Sequence, residues 1–376
     1  MRLLLVTNDY LPRPGGIQQT LANLVDRWTD PVRVLAPDDP AASSDTRVVR
    51  HEKTFIWPTR QVRRWVEAQV ADFRPEVILF GAPFPLAMLG PGLRKRTGRP
   101  YVVMTHGAEV TAPAAIPGLR QGLARSLKSA DTVFAVSHFT ADRVARLSGR
   151  SVEVLGAGVD IEGFHPRGLP TAESESSEEA APTHNDRETF TLGCVSRFVP
   201  RKCQALVLRA AAELQARGHR VEVLLVGWGP LEQRVRDLAA RLGVPTRFEI
   251  NVPSERLPRL YREMDGFAMP ARSRWFGLET EGLGICYLEA SATGLPIVVG
   301  SSGGAPETVV PGKTGFVGAS VTGIVEAVEM WLADPEAARA MGRLGRERIE
   351  ESFTWDLVID RLRKGISEAA ESVSSQ

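Results

Sequence analysis

The sequence predicts an α/β protein built of two Rossmann-like domains. Short apolar segments rich in Val, Leu, Ile and Phe recur at 2–7, 32–36, 76–80, 100–104 and 131–136, with spacers long enough for crossover helices. The same alternation restarts at 190–196, 221–226, 246–250, 265–269 and 296–299, without a close sequence repeat between the halves. Between the two sets, residues 170–189 are polar, acidic and low in complexity, too poor in apolar area to order themselves. The expected division is an N-terminal domain over 1–169, an acidic linker or insertion over 170–189, a C-terminal domain over 190–352, and a tail over 353–376. The tail has amphipathic helical spacing and is expected to fold back on the first domain.

Bulk properties narrow the function classes. A chain of 376 residues, 43% hydrophobic and 24% charged, has the composition of an ordinary soluble protein with two cores. No run approaches the roughly 18 uninterrupted apolar residues of a spanning helix. The start, Met1 to Asp9, meets polar residues and prolines too soon for a signal peptide and reads as a first strand. Cys194, Cys203 and Cys286 have no metal-type spacing and cannot all pair, which suits a reducing cytoplasm. The six histidines form no ligand cluster, so no metal and no cofactor are expected. The net charge of +1 hides an asymmetry: residues 1–165 hold 21 Lys/Arg against 16 Asp/Glu, and 170–189 hold six acids against Arg187. A positive first half suits an anionic partner. Nucleic acid is not that partner, because no broad basic stripe with interleaved aromatics is present.

The first strand runs into Asn8-Asp-Tyr-Leu-Pro-Arg-Pro-Gly-Gly-Ile17, long for a βα connection. Its Pro-Gly-Gly end lets backbone amides approach a phosphate or sugar at a helix start, or is a tight turn and no more. The Gly-x-Gly-x-x-Gly fingerprint of dinucleotide sites is absent here. Trp57-Pro-Thr-Arg60-Gln-Val-Arg63-Arg64-Trp65-Val66 reads as a helix whose first turns carry three arginines. It can lie on an anionic surface with Trp65 at the interface, or show a solvated basic face while Trp65 and Val66 enter the core. Arg94-Lys95-Arg96 with Arg99 ends the next helix, where positive charge suits the dipole without further function. After the strand Tyr101 to Thr105 comes His106-Gly-Ala-Glu109, a histidine at the carboxyl end of a parallel strand, where open α/β sheets place ligands. A plain loop hydrogen bond is the alternative role for it. Ala135-Val-Ser-His138 and Gly156 to Asp160, followed by Phe164, close the first domain.

In the second half, Ser196-Arg197-Phe-Val-Pro-Arg-Lys202 sets two cations five residues apart at a strand-to-helix junction, where they can pinch a diphosphate. Arg201 competes with Lys202 for that part. Val226-Gly-Trp-Gly-Pro230 opens another helix, and Asn251-Val-Pro253, centred on Val252, can offer backbone groups to a base. The densest signal is Glu279-Thr-Glu281-Gly-Leu-Gly-Ile-Cys-Tyr-Leu-Glu289, which puts Glu281 on a glycine-flanked loop and Glu289 one to two turns inside a helix. The amides of Gly282, Leu283 and Gly284 at that helix start favour an anion. One acid can hold sugar hydroxyls and the other a ribose; the bland alternative is a capping Glu281 and a solvated Glu289.

Taken in order, Gly15-Gly16, His106, Gly156 to Asp160, Arg197 with Lys202, Gly227-x-Gly229, Glu281 with Glu289, and Ser302-Gly-Gly-Ala-Pro-Glu307 resemble the GT-B retaining glycosyltransferases of family four over nearly the whole chain. Thr7-Asn-Asp9, Gly15-Gly-Ile-Gln18, Glu281 to Ile285, Leu288 to Ser291 and Ser302 to Thr308 are most similar to the actinobacterial phosphatidylinositol mannosyltransferases within it. The resemblance implies a GT-B fold with a cleft between the domains, hinge closure, and mannose transfer from GDP-mannose to a phosphatidylinositol mannoside. Arg197 and Lys202 would hold the diphosphate, Glu289 the ribose, and Glu281 with the amides of Gly282 to Gly284 the hexose. Gly16 would close the diphosphate pocket, Gly227 and Val252 would line the nucleotide, and His106 would lie beside the sugar near its 6-hydroxyl. Asp9, Gly15, Gln18 and the helix with Arg60, Arg63 and Arg64 would meet a phospholipid or glycolipid acceptor, the protein being cytoplasmic and peripheral on the inner membrane face.

With no metal cluster and no obvious nucleophile, phosphate departure is expected to rely on fixed positive charge and helix amides. The acceptor hydroxyl then attacks on the face the diphosphate leaves, and the configuration is retained. The competing readings are the same chemistry with another nucleotide sugar or acceptor, a sugar-binding protein of two lobes, and a sugar-nucleotide epimerase of like architecture.

Overall fold

A computed structural model of the chain describes residues 1–42, 44–168 and 189–374. The acidic tract expected at 170–189 lies, apart from Thr189, outside the described residues. The chain forms two compact units, one of Met1–Gly158, Gly277–Gly282 and Trp355–Gln376, the other of Val159–Phe276 and Leu283–Thr354.

The first unit is organised on a sheet of seven parallel strands in the order β3-β2-β1-β4-β5-β6-β7. These are β1 (Leu3–Val6), β2 (Val32–Pro37), β3 (Val48–His51), β4 (Val77–Phe80), β5 (Tyr101–Thr105), β6 (Thr132–Ala135) and β7 (Glu153–Val154). Residues of β1, β4, β5 and β6 are buried without exception. Such strands read as continuous apolar runs because helices cover both sheet faces. Alternate side chains divide between two cores. Leu3, Leu5, Val34 and Leu79 face the helices Gly16–Arg27 and Trp355–Ser374, whereas Leu4, Val6, Ile78 and Phe80 face Arg60–Phe73, Gly90–Thr97 and Pro117–Ser129. The expected return of the C-terminal helix is therefore observed: Trp355, Val358, Ile359, Leu362 and Ile366 are buried in the first unit's core.

The second unit repeats the order with six parallel strands, β10-β9-β8-β11-β12-β13. They are β8 (Phe190–Val195), β9 (Val221–Gly227), β10 (Thr246–Ile250), β11 (Gly266–Met269), β12 (Ile297–Val299) and β13 (Phe316–Val317). In both sheets the strand order reverses beside the first strand, between β1 and β4 and between β8 and β11. The carboxyl ends there are where an open α/β sheet offers a crevice. Three short strands escaped the sequence reading. β3, β7 and β13 pair on one side only, and the last two have two residues each, too few for a periodic signal.

Candidate active site

In the first unit the site residues emerge from loops at the carboxyl ends of β1, β4, β5 and β6. After β1, the Asp9 amide donates to Thr7 Oγ1 at 2.8 Å, and Asn8 exchanges two side-chain hydrogen bonds with the backbone of Ile56, at 3.0 and 2.8 Å. Gln18, in the first turn of Gly16–Arg27, donates through Nε2 to Asp9 Oδ1 at 2.9 Å. Its side chain folds back so closely that a Cβ on Gly15 would stand 2.2 Å from Gln18 Oε1. Gly15, Gln18 and Asp9 are thus one constellation. Burial raises the Asp9 pKa, His106 and Arg13 pull it down, and Glu109 adds to the rise.

His106 follows β5 directly, and its Nε2 lies 2.8 Å from the Gly81 carbonyl after β4. A carbonyl can only accept, so Nε2 carries the proton and Nδ1 is left as an acceptor. Glu109 closes the turn by accepting from the amides of His106 and, at 2.8 Å, of Gly107. The segment Gly277–Gly282 lies on this turn: Ser137 Oγ donates to the Gly282 carbonyl at 2.7 Å, Thr111 Oγ1 to that of Leu278 at 2.6 Å, and Arg143 to that of Gly277 at 2.7 Å. A Cβ on Gly282 would sit 1.8 Å from the His106 carbonyl oxygen, so only glycine permits the approach. Glu281, next in the chain, is 7% exposed. The structure therefore groups His106, Asp9 and Glu109, and seats the Glu281 loop on the histidine's turn.

Arg60 and Arg64 are exposed, while Arg63 lies 3.4 Å from Glu67, which also faces Arg96. The helix begins at Arg60 rather than at Trp57, because Pro58 and Thr59 precede it and Thr59 Oγ1 caps the Val62 amide. Trp65 takes the core alternative, partly buried and edge-on to His51 at 4.9 Å. The exposed aromatics beside this helix are Phe55 and Trp57, tilted against each other with ring centres 5.1 Å apart in the loop that Asn8 anchors.

In the second unit the loop after β8 carries Arg197, exposed, with its guanidinium 5.4 Å from the Trp228 ring centre. Lys202 is 7% exposed at the end of a single 3₁₀ turn. Gln204, which the sequence reading did not single out, ties that loop down by donating at 2.8 Å to both Ser196 Oγ and the Arg197 carbonyl. Gly227 and Gly229 are required by packing. Cβ atoms there would stand 2.1 Å from the Ser196 oxygen and 2.6 Å from that of Phe198. Their contribution is to let the β9 loop press the Arg197 loop into place. Val252 is partly buried after β10, beside Asn251 at φ 53°. Gly284, at φ 94°, caps the helix Ile285–Ala292, which carries Glu289. Burial pushes the Glu289 carboxyl up to about 7, and a hydrogen bond from Tyr261 opposes the rise. Among the described residues, no three His, Cys, Asp or Glu side chains gather as a metal site, and no helix is long and apolar enough to cross a membrane.

Comparison with known proteins decides the family. The model for glycosyl transferases group 1 matches residues 175–348, and that for Glycosyltransferase Family 4 matches 14–162. The GDP-mannose-dependent alpha-(1-6)-phosphatidylinositol monomannoside mannosyltransferase of Mycolicibacterium smegmatis is 42% identical over 94% of this chain and 95% of its own. The chain belongs to glycosyltransferase family 4. The enzyme of the same name from Mycobacterium tuberculosis is 38% identical over 96% and 97%, and a monoacylated-acceptor counterpart from Corynebacterium glutamicum is 34% identical over 96% of each chain. Solved structures agree on the fold of this glycosyltransferase, which is GT-B. HepE of Anabaena in complex with UDP superposes with a TM-score of 0.76 at 18% identity, covering 98% of this chain and 100% of that one. Sucrose-phosphate synthase from Thermosynechococcus elongatus gives 0.77 at 19%, covering 96% and 97%.

Proposed function

We propose that this glycosyltransferase moves mannose from GDP-mannose to a phosphatidylinositol monomannoside, with retention of configuration, while bound peripherally to an anionic membrane on its cytoplasmic face. The observation that carries the reading is the near full-length identity, 34–42%, to enzymes bearing that activity in their names. The chemistry of the site residues supports it.

In this reading Arg197 and Lys202 take the donor diphosphate, joined by the amides at the start of Ile285–Ala292 and by Gly16. Glu289 takes the ribose, and Val252 with Gly227 borders the base. Glu281 and the amides of Gly282 to Gly284 hold the mannose hydroxyls, and His106 offers Nδ1 to one of them. As the bond from the anomeric carbon to the phosphate oxygen breaks, charge accumulates on the diphosphate, and fixed cations and helix amides stabilise it without reorganising. The acceptor hydroxyl forms its new bond on the same face, and its proton passes to the departing phosphate oxygen. No metal takes part in this scheme. Asp9, held by Gln18 beside Gly15, meets the acceptor's hydroxyls. Phe55 and Trp57 enter the lipid interface while Arg60, Arg64 and Arg63 attract anionic headgroups.

The test is incubation of the purified protein with GDP-mannose, UDP-glucose and other nucleotide sugars, each with vesicles containing a phosphatidylinositol mannoside and with soluble sugars. Product mass and anomeric configuration are then measured. A lipid product one hexose heavier, formed from GDP-mannose and α-linked, is expected; transfer to soluble sugars alone overturns the acceptor and the membrane placement together.

A further inference from the structure

Tyr261 is a fully buried tyrosine that the mechanism above does not use. It lies on the short helix Leu257–Arg262, with its ring edge-on to Phe164 at 5.5 Å and tilted against Phe267 at 5.8 Å. That packing leaves the hydroxyl little choice of place. It donates to Glu289 Oε2 at 2.7 Å and also lies 3.2 Å from the Cys286 carbonyl. Glu289 is only partly buried, and among the described residues its hydrogen bonding engages Oε2 alone. Oε1 is thereby the oxygen left for a ligand.

We propose that Tyr261 is a positioning residue for the donor: its hydroxyl occupies Oε2 of Glu289, favours the carboxylate, and turns Oε1 toward the ribose hydroxyls of the nucleotide sugar. The inference rests on the reading that Glu289 holds the ribose. A tyrosine hydroxyl carries one hydrogen, so it serves the two states of Glu289 differently. Against the carboxylate it donates to Oε2. Against the neutral acid it can donate to the Cys286 carbonyl and accept the acid's proton. In the first arrangement Oε1 shares the negative charge and accepts from a ribose diol in charge-assisted hydrogen bonds; in the second it is the carbonyl oxygen of a neutral acid and accepts more weakly.

The balance between the two states is fine. Burial raises the Glu289 carboxyl to about 7 and the Tyr261 hydrogen bond lowers it, so both forms are populated near neutral pH. Arg262 and Arg346, on elements packed against Ile285–Ala292, have partners other than Glu289. Arg262, on the tyrosine's own helix, donates to the Gly163 carbonyl and to His165. Arg346, on Pro335–Ser352, donates to the carbonyls of Ile161 and Ala292 and pairs with Glu350. Glu307 lies on the 3₁₀ turn Ala305–Thr308, and β11 and β12 bring no charge. The thiols of Cys286 and Cys194 neighbour Tyr261.

The sign follows directly. The carboxylate binds the donor, so affinity is full above pH 7 and falls as pH drops through it. Removing the hydroxyl moves that limb to higher pH, because the opposing hydrogen bond is gone. The experiment measures KM and kcat for GDP-mannose, and Kd for GDP, from pH 6 to 9.5 in the wild type, Tyr261→Phe and Glu289→Gln. For Tyr261→Phe the expected result is a KM raised about fivefold at pH 7, the loss of carboxylate when a pKa of about 7 rises by one unit, and nearly restored at pH 9.5, with kcat little changed. An increase equal at every pH makes Tyr261 mere packing and overturns the proposal, as does no change. Should Tyr261→Phe fail to fold, the wild-type GDP profile still decides, since a flat Kd between pH 6 and 9 removes the titrating group. Unaltered GDP binding by Glu289→Gln instead sinks the ribose assignment itself.

Discussion

At the scale of single residues, the candidate site depends on side chains whose places are set by the loops around them. Lys202 is the sharpest case, a cation 7% exposed on a turn fixed by Gln204 and by the glycines of the β9 loop. Lys202→Ala is expected to lower kcat by roughly a hundredfold or more, the loss typical when a group stabilising developing charge is removed. Circular dichroism and Tm should stay close to the wild type; turnover within a few-fold of normal refutes its part in leaving-group departure. His106 and Glu281 were legible because each stands beside a glycine in a loop, Arg197 and Lys202 because two cations share a strand-to-helix junction, and Glu289 because it lies in the helix that Gly284 opens. Glu109, Ser137, Gln204 and Tyr261 were not, for a local reason in each. Ser137 and Tyr261 act on residues 145 and 28 positions away, and no spacing rule reaches that far. Gln204 and Glu109 act nearby, but through backbone amides and carbonyls that any sequence offers.

At the scale of elements, the parallel strands were readable because burial on both faces demands unbroken apolar runs. Of the four edge strands β10 was, at 246–250, but the others were not, since β3 is half-buried and β7 and β13 have two residues each. The helix Arg60–Phe73 shows where a pattern and a structure part. Its arginines were visible, and of the two places open to Trp65 the structure takes the inward one, while Phe55 and Trp57 in the preceding loop stand out to solvent, 40% and 55% exposed. A tryptophan in helical register reads as part of its helix, whereas Pro58 and Thr59 separate Trp57 from it. If this element holds the protein to a bilayer, Arg60→Glu with Arg64→Glu should abolish cosedimentation with phosphatidylinositol-rich vesicles at low salt. Trp57→Ser should weaken it several-fold, also at high salt, where charge is screened. Wild-type binding by both variants excludes this face as the membrane contact.

At the scale of the whole molecule, the first unit is completed by the last helix. Leu362 is fully buried in its core, and Arg363 pairs with Asp30 at 2.7 Å while its guanidinium covers the Trp28 ring at 4.2 Å. Leu362→Ala should cost about 2–5 kcal/mol, the usual range for a cavity in a packed core. Calorimetry that resolves two transitions should show the loss in the first unit's transition alone; an equal shift of both contradicts the division.

That same helix sets an order of events during synthesis. Residues 1–158 leave the ribosome early yet still lack Trp355 to Ile366, which share with the helix Gly16–Arg27 the covering of one face of their sheet and lie over β5 and β6. A nascent chain usually folds its amino-terminal domain first. Here the earlier unit must wait, with bare apolar strands, until translation has passed every strand of the later one. Apolar strands left open in that interval are prone to aggregate, so the yield of folded enzyme is expected to depend on how soon the last helix is made.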